Sequence, residues 1–299
     1  MHGASVFRLF VIMERFSAVA KSWNTVAIVG VGMIGGSIGR GLLKRRLADR
    51  VVGIGRNPQR LRSAELASAV TETTTDLAAG VAQAELTIVC TPVATITDFV
   101  RTVSKHCPPD GLITDAGSTK QEIVQALERD PPIPQFVGSH PLAGSEKAGV
   151  EHADADLLED RLVIVTPSES TPDAARQRIH SLWTSLGAHV RDMSPADHDR
   201  AVAAISHVPH AVASVLAAAT PESFLSLAAT GWLDTTRVAS GDADLWRQIL
   251  MQNQACVLNS LRDFEKVLAS FTTALEQGDE EAILKLLTAG KQRRDALAD

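Results

Sequence analysis

Three glycines at fixed spacing constrain this chain more than any other feature. Gly30-x-Gly32-x-x-Gly35 directly follows Thr25–Gly30 (TVAIVG), a short β-branched apolar run of the kind that forms a buried parallel strand. From Met33 to Leu47 the apolar residues Ile34, Ile38, Leu42 and Leu43 recur at helical spacing. A strand, a glycine turn and a helix in that order form a phosphate cradle. Gly30 permits the tight turn, Gly32 lets backbone approach a pyrophosphate, and Gly35 lets helix and strand pack closely. The diphosphate then rests on a helix N-terminus, where unpaired N–H groups and the helix dipole favour an anion. Met33 and Ile34, inside the turn, count with the three glycines as cofactor-binding residues.

The pattern continues as alternating strands and helices. Strands are expected at Val51–Gly55, Leu86–Cys90, Leu112–Asp115, Phe136–Ser139, Leu162–Thr166 and Ala188–Arg191. Helices are expected at Leu61–Val70, Thr119–Glu128 and Pro172–Leu186. This alternation reads as an α/β fold, a doubly wound, Rossmann-type parallel sheet. After Met193 no strand is expected. Pro195–Ala219, Leu245–Ser270 and Glu280–Ala298 are alanine-rich helical patterns. The expected organisation is an extension over 1–22, poorly ordered, a dinucleotide-binding domain over 23–193, and an all-helical substrate and dimerisation domain over 194–299. Apolar residues on two faces of these helices point to a homodimer through them.

Composition narrows the function class. Across 299 residues the formal charge is −6, with 29 Lys and Arg against 35 Asp and Glu, which argues against a nucleic-acid partner. There is no tyrosine, so no tyrosine acid or base takes part. Cys90, Cys107 and Cys256 lie far apart with no metal-ligand spacing, so reduced thiols in a cytoplasm and no metal are expected. At the N-terminus the apolar stretch Val6–Met13 is broken by Arg8 and followed by Glu14 and Arg15, unlike a secretory segment, and Met13 is a plausible alternative start. No stretch is read as approaching the length of a membrane span.

The end of the second strand bears on cofactor choice. An NAD site usually carries Asp or Glu there, on the ribose 2′-hydroxyl. This chain has Gly55-Arg56-Asn57-Pro58 instead. Arg56 suits a 2′-phosphate, so NADP is favoured over NAD. Thr91 and Pro92, after the strand ending at Cys90, belong beside the same crevice, and Ser118 is expected on the nicotinamide side. His140 closes a short strand before a Pro-Leu-Ala-Gly turn, the place for an imidazole to take a proton from a hydroxyl while hydride leaves the same carbon. His207 and His210, three apart, share a helix face, and Pro209 between them kinks or breaks that helix.

Six segments together resemble the prephenate dehydrogenase family, which includes the arogenate dehydrogenases. They are GVGMIGGS (Gly30–Ser37), CTPV (Cys90–Val93), DAGSTK (Asp115–Lys120), GSHPLAGSE (Gly138–Glu146), DHDRAVAAISHVPH (Asp197–His210) and TRVASGDADLWRQI (Thr236–Ile249). They run in order over about Thr25 to Ser270, and the glycine fingerprint is the least specific of them. The resemblance implies oxidative decarboxylation of prephenate to 4-hydroxyphenylpyruvate in tyrosine biosynthesis. It implies that His140 deprotonates the ring 4-hydroxyl, with Ser118 near both nicotinamide and hydroxyl. It further implies that His207 and His210 line the substrate pocket and that Arg237 grips a substrate carboxylate. Arg247 is a second carboxylate candidate, and a solvated helix charge is an equal reading of it. Trp246 is expected in the helical core. Arogenate is the alternative substrate, its ammonium calling for a carboxylate such as Asp197, Asp199 or Asp234. With the sequence read to Asp299, the regulatory domain some members carry is not expected. Two readings from other classes compete. A 3-hydroxyacid dehydrogenase would need a lysine base in the helical region, yet no lysine lies between Ser194 and Gly241. A catalytically silent NADP-binding sensor or scaffold would need only the nucleotide residues.

Overall fold

The computed structural model describes residues 23–129, 131–144 and 147–297. The expected extension over 1–22, including Met13, lies outside the described residues, as do Ser145 and Glu146 of the GSHPLAGSE segment. In chain order the elements are β1 (Trp23–Val29), α1 (Met33–Lys44), β2 (Ala48–Ile54), α2 (Pro58–Leu66), β3 (Glu72–Thr74), α3 (Leu77–Val81), β4 (Leu86–Val89), α4 (Val93–Val103), β5 (Leu112–Asp115), α5 (Gln121–Glu128) and β6 (Phe136–Pro141). Then come β7 (Leu162–Thr166), α6 (Asp173–Ser185), β8 (His189–Asp192), α7 (Pro195–Val202), α8 (Val208–Ala219), α9 (Thr230–Thr236), α10 (Ala243–Gln252), α11 (Gln254–Gln277) and α12 (Glu280–Asp295). The chain forms two compact units. One is residues through Asp199 together with Ser240–Gln252; the other is Arg200–Ala239 with Asn253–Asp299. This division differs from the expected one at 193/194 in that residues 194–199 and α10 group with the sheet.

The first unit is built on an eight-stranded sheet in the order β3-β2-β1-β4-β5-β6-β7-β8. Every pairing is parallel except β6 with β7, so β7 and β8 run against the rest. Both faces are covered, as the uninterrupted apolar runs require. On β1, Val26 and Ile28 enter one core with α1 and α6; Ala27 and Val29 enter the other with α4 and α5. Each buried valine or isoleucine among them contributes roughly 1.5–3 kcal/mol.

Four elements, β3, α3, α4 and α9, are not expected from the sequence. The α4 segment VATITDFVRTV is rich in β-branched residues, which lowers its helix propensity. Burial of Val93, Ile96, Val100 and Val103 along one face overrides that preference. The single helical pattern expected over Leu245–Ser270 breaks at Asn253, and its halves α10 and α11 fall in different units. Trp246 and Ile249 on α10 pack with the second sheet core, which places Trp246 on the sheet unit and not in the helical core.

The second unit is helical. Between α7 and α8 the backbone forms a π-helical turn over Ala203–His207, just before Pro209. Proline lacks the N–H that would continue the α pattern, which accounts for the break anticipated there. Contrary to the sequence reading, the run Pro195–Ala219 is long and apolar enough to cross a membrane by length and composition. It is interrupted by the π turn and by Pro209, and it buries His207 and His210.

Candidate active site

The carboxyl ends of β1, β4, β5 and β6 lie side by side, because these four strands are adjacent and parallel. Gly30, Thr91, Ser118 and His140 each occupy or follow one of those ends, so the topology gathers them along one edge.

At β1 the three glycines differ in what demands them. Gly30 has φ +93°, and a Cβ there would come within 2.8 Å of the Cys90 carbonyl oxygen, so the turn itself needs glycine. A Cβ on Gly35 would overlap the Gly30 carbonyl oxygen, which explains the close seat of α1 on β1. Gly32 has φ −89° and ψ −153°, open to any residue, and a Cβ there would meet nothing within 4 Å. Fold does not require glycine at 32; room for a ligand against the N-terminus of α1 does. The first turn of α1 carries no acidic residue and no side-chain cap, so its N–H groups suit an anion. This cradle fits a dinucleotide. Gly144, at φ +149°, brings the turn after His140 beside Met33 and Ile34; a Cβ there would lie 3.6 and 3.7 Å from their side chains.

Arg56 is exposed just beyond β2, and Asn57 caps α2 by accepting from the backbone of Gln59 and Arg60 at 2.9 and 3.1 Å. Thr91 is half-buried against Gly30, and the exposed Pro92 starts α4. Ser118 is half-buried in the turn after β5. Within that turn Asp115 is fully buried. Its carboxylate accepts from the backbone N–H of Gly117 at 2.9 Å and of Ser139 at 3.0 Å, and pairs with the equally buried Lys120 ammonium. Two carboxylate oxygens thereby tie β5, the Ser118 turn and the end of β6 together. Trp183 donates to the Ser139 hydroxyl at 3.0 Å from the helix behind.

His140, half-buried at the end of β6, does not stand alone. Its Nδ1 lies 2.8 Å from His198 Nε2, with the rings edge to face at 5.0 Å between centroids. His198 Nδ1 lies 2.7 Å from Asp199 Oδ1. The Asp199 carboxylate also accepts from the backbone N–H groups of Lys120 at 2.8 Å and Gln121 at 3.0 Å, at the start of α5. His198 and Asp199 are 0% and 1% exposed. Burial pushes the His198 imidazole below its ordinary value, the Asp199 hydrogen bond opposes that, and the Lys120 charge adds to the lowering. From sequence alone Asp199 is only a possible ammonium partner and His198 has no role.

In the second unit His207 and His210 are both buried, at 1% and 5% exposure. Asn253 Nδ2 lies 3.2 Å from His207 Nδ1, and burial lowers the His210 imidazole's proton affinity. Arg237 is exposed, in the short 3-10 turn after α9. Arg247, in the first unit, is exposed and forks onto Asp244 of its own helix at 2.8 and 3.0 Å.

Comparison with known proteins fits this geometry. The sequence pattern of the prephenate dehydrogenase nucleotide-binding domain matches residues 38–192, and that of the prephenate dehydrogenase dimerization domain matches 194–289. A prephenate dehydrogenase of Bacillus subtilis is 33% identical over 282 residues, covering 92% of this chain and 76% of the relative. The crystal structure of A. aeolicus prephenate dehydrogenase with hydroxyphenyl propionate and NAD+ superposes with a TM-score of 0.85 at 31% identity, covering 92% of this chain and 98% of that one. The Synechocystis arogenate dehydrogenase structure superposes at 0.75 with 28% identity, covering 91% and 99%. A dinucleotide cradle, an imidazole at another strand end on the same sheet edge and two matching domain patterns that together span most of the chain place this protein in the prephenate dehydrogenase family.

Proposed function

We propose that this chain oxidatively decarboxylates prephenate to 4-hydroxyphenylpyruvate in tyrosine biosynthesis, with NADP preferred to NAD. The observation that carries the reading is His140 at the end of β6, on the same sheet edge as the glycine cradle. When bound, the oxidised nicotinamide supplies the two-electron acceptor. His140 takes the proton of the ring 4-hydroxyl as hydride leaves that carbon. The carbonyl so formed is the sink for the electron pair released as the ring carboxylate departs as CO2. The ring becomes aromatic, and His140 returns its proton to the phenolate oxygen. Ser118 lies near the reacting hydroxyl, and Thr91 and Pro92 line the cofactor crevice. His207, His210 and Arg237 serve the substrate, Arg237 by pairing with a carboxylate that would be costly to enclose unpaired. No metal takes part in this scheme.

Arginine in place of an acidic residue after β2 supports the NADP preference. Of the carboxylates an arogenate ammonium could use, Asp199 already accepts from His198 and two backbone amides and Asp197 from Ser194, which leaves Asp234 and supports prephenate. The second unit leaves Leu227 78%, Val215 67%, Leu284 64% and Phe224 59% exposed, which supports a homodimer through the 194–299 region. We place the enzyme in the cytoplasm.

The direct test mixes purified protein with prephenate or arogenate and NADP+ or NAD+ and follows reduced nicotinamide by absorbance. Turnover of prephenate with NADP+ is expected to lead. His140→Asn should bind both ligands while kcat falls by about 10²–10⁴. Wild-type turnover in that variant would remove His140 from its role.

A further inference from the structure

We propose that His198 and Asp199 form a positioning relay that fixes which nitrogen of His140 accepts the substrate proton. The proposal rests on the reading of His140 as the proton acceptor. A carboxylate can only accept hydrogen bonds, so the 2.7 Å contact to Asp199 puts a proton on His198 Nδ1. Asp199 is held as a carboxylate by two further donors, the Lys120 and Gln121 amides. His198 is fully buried, and that burial, with the charge of the Lys120 ammonium that pairs with Asp115, outweighs the pull of the Asp199 and Asp115 carboxylates on this ring. These surroundings disfavour a second proton on His198, so its Nε2 carries a lone pair. At 2.8 Å from that lone pair, His140 Nδ1 must donate. Neutral His140 is thereby held in its Nδ1–H form with the basic lone pair on Nε2.

Free imidazole side chains favour the opposite tautomer, with the proton on Nε2. An untethered His140 would therefore spend most of its time in the form that cannot accept there. The relay also orients the ring, and once His140 is charged it keeps a donor on His198 with the Asp199 charge behind. The proton stays on His140, because burial and Lys120 oppose an imidazolium at His198. The logic is that of an orienting carboxylate behind a histidine base, with a second imidazole interposed.

The test uses the full chain with His198→Leu and His198→Gln, alongside His140→Asn. His198→Leu should lower kcat about 10- to 100-fold, a smaller loss than removing the base, while KM for prephenate and NADP+ stays within about threefold. Two-bond nitrogen–proton spectra of ¹⁵N-histidine-labelled protein should show the His140 signal as Nδ1–H in the wild type and mainly Nε2–H in His198→Leu. His198→Gln keeps an oxygen acceptor near the Nε2 position and should recover part of the lost rate; it also serves if the leucine variant fails to fold. A His198→Leu enzyme with wild-type kcat, or an unchanged His140 tautomer in the variant that folds, would overturn the relay. Wild-type turnover by His140→Asn would instead overturn the base assignment, and the tautomer spectra would still decide whether the relay exists.

Discussion

Gly32 and Gly35 stand three residues apart in one motif, and the structure separates what each is for. Alanine at 35 drives its methyl into the Gly30 carbonyl oxygen and to within 3.0 Å of Ile28 Cγ2 and 3.2 Å of Cys90 Cβ. That carbonyl belongs to a turn pinned by the Gly30 N–H to Ile54 oxygen bond of 2.8 Å, so little can yield. Overpacking of this kind costs about 1–3 kcal/mol or more, and alanine recovers about 1 kcal/mol through helix propensity. A net loss of about 2 kcal/mol lowers the melting point of the sheet unit by about 4–8 °C. Alanine at 32 meets nothing and adopts an allowed backbone, so its stability loss stays below about 1 kcal/mol. Its methyl occupies the space a pyrophosphate would take. Losing one charge-assisted hydrogen bond, about 1.5–3 kcal/mol, weakens NADP+ binding about 10- to 150-fold. Thermal scanning and calorimetric titration of both variants check the pair. A Gly32→Ala protein that binds NADP+ at wild-type affinity, or a Gly35→Ala protein that melts with the wild type, would refute the separation.

Arg56→Ala should raise KM for NADP+ at least about tenfold and leave NAD+ within about twofold, since only a 2′-phosphate needs that charge; equal damage to both cofactors would remove the preference. In steady-state kinetics, Arg237→Gln should raise KM for prephenate about 10- to 100-fold, whereas Arg247→Gln, whose guanidinium already sits on Asp244, should change it less than about threefold. His198 and His210 are both held below their ordinary value of 6.5 by burial. Their stabilisation is complete above that pH and declines as pH falls below it, by at most about 1.4 kcal/mol per pH unit for each. Urea midpoints measured downward from about pH 7 should therefore fall, and His210→Gln should flatten the slope; an unchanged slope in that variant would show that His210 takes up its proton equally in both states.

Most strands were legible because they are short apolar runs bounded by glycine, proline or a charge; β3, with the polar sequence Glu-Thr-Thr, was not. The cradle was legible because its glycines sit between β1 and α1 in the one context that gives them meaning. Helix α4 was hidden by its valines, threonines and isoleucine, whose local preference opposes the state that burial imposes. The break at Asn253 was hidden because the apolar pattern runs straight through it, and only the division into units separates α10 from α11. His140 was visible at its strand end, but its partners lie 58 and 59 positions further along the chain. No periodicity links residues across that distance, so the sequence assigns His198 no role. Arg247 is exposed and paired with Asp244 of its own helix.

Because β7 runs against β6, the connection between them never has to cross the sheet. It leaves at Pro141 and re-enters at Leu162, where the Leu142 N–H bonds the Leu162 carbonyl at 2.8 Å. Val150 and Ala153 abut the position a Gly36 side chain would fill, and Arg40 donates to the Ala153 carbonyl at 2.6 Å, so the described part of this excursion lies along α1. The handedness rule for parallel crossovers does not bind such a return. A change of length within this stretch would leave the register of β6 on β7 intact, since the two strands are held by their own pairing from Gly138 with Thr166 to Pro141 with Val163.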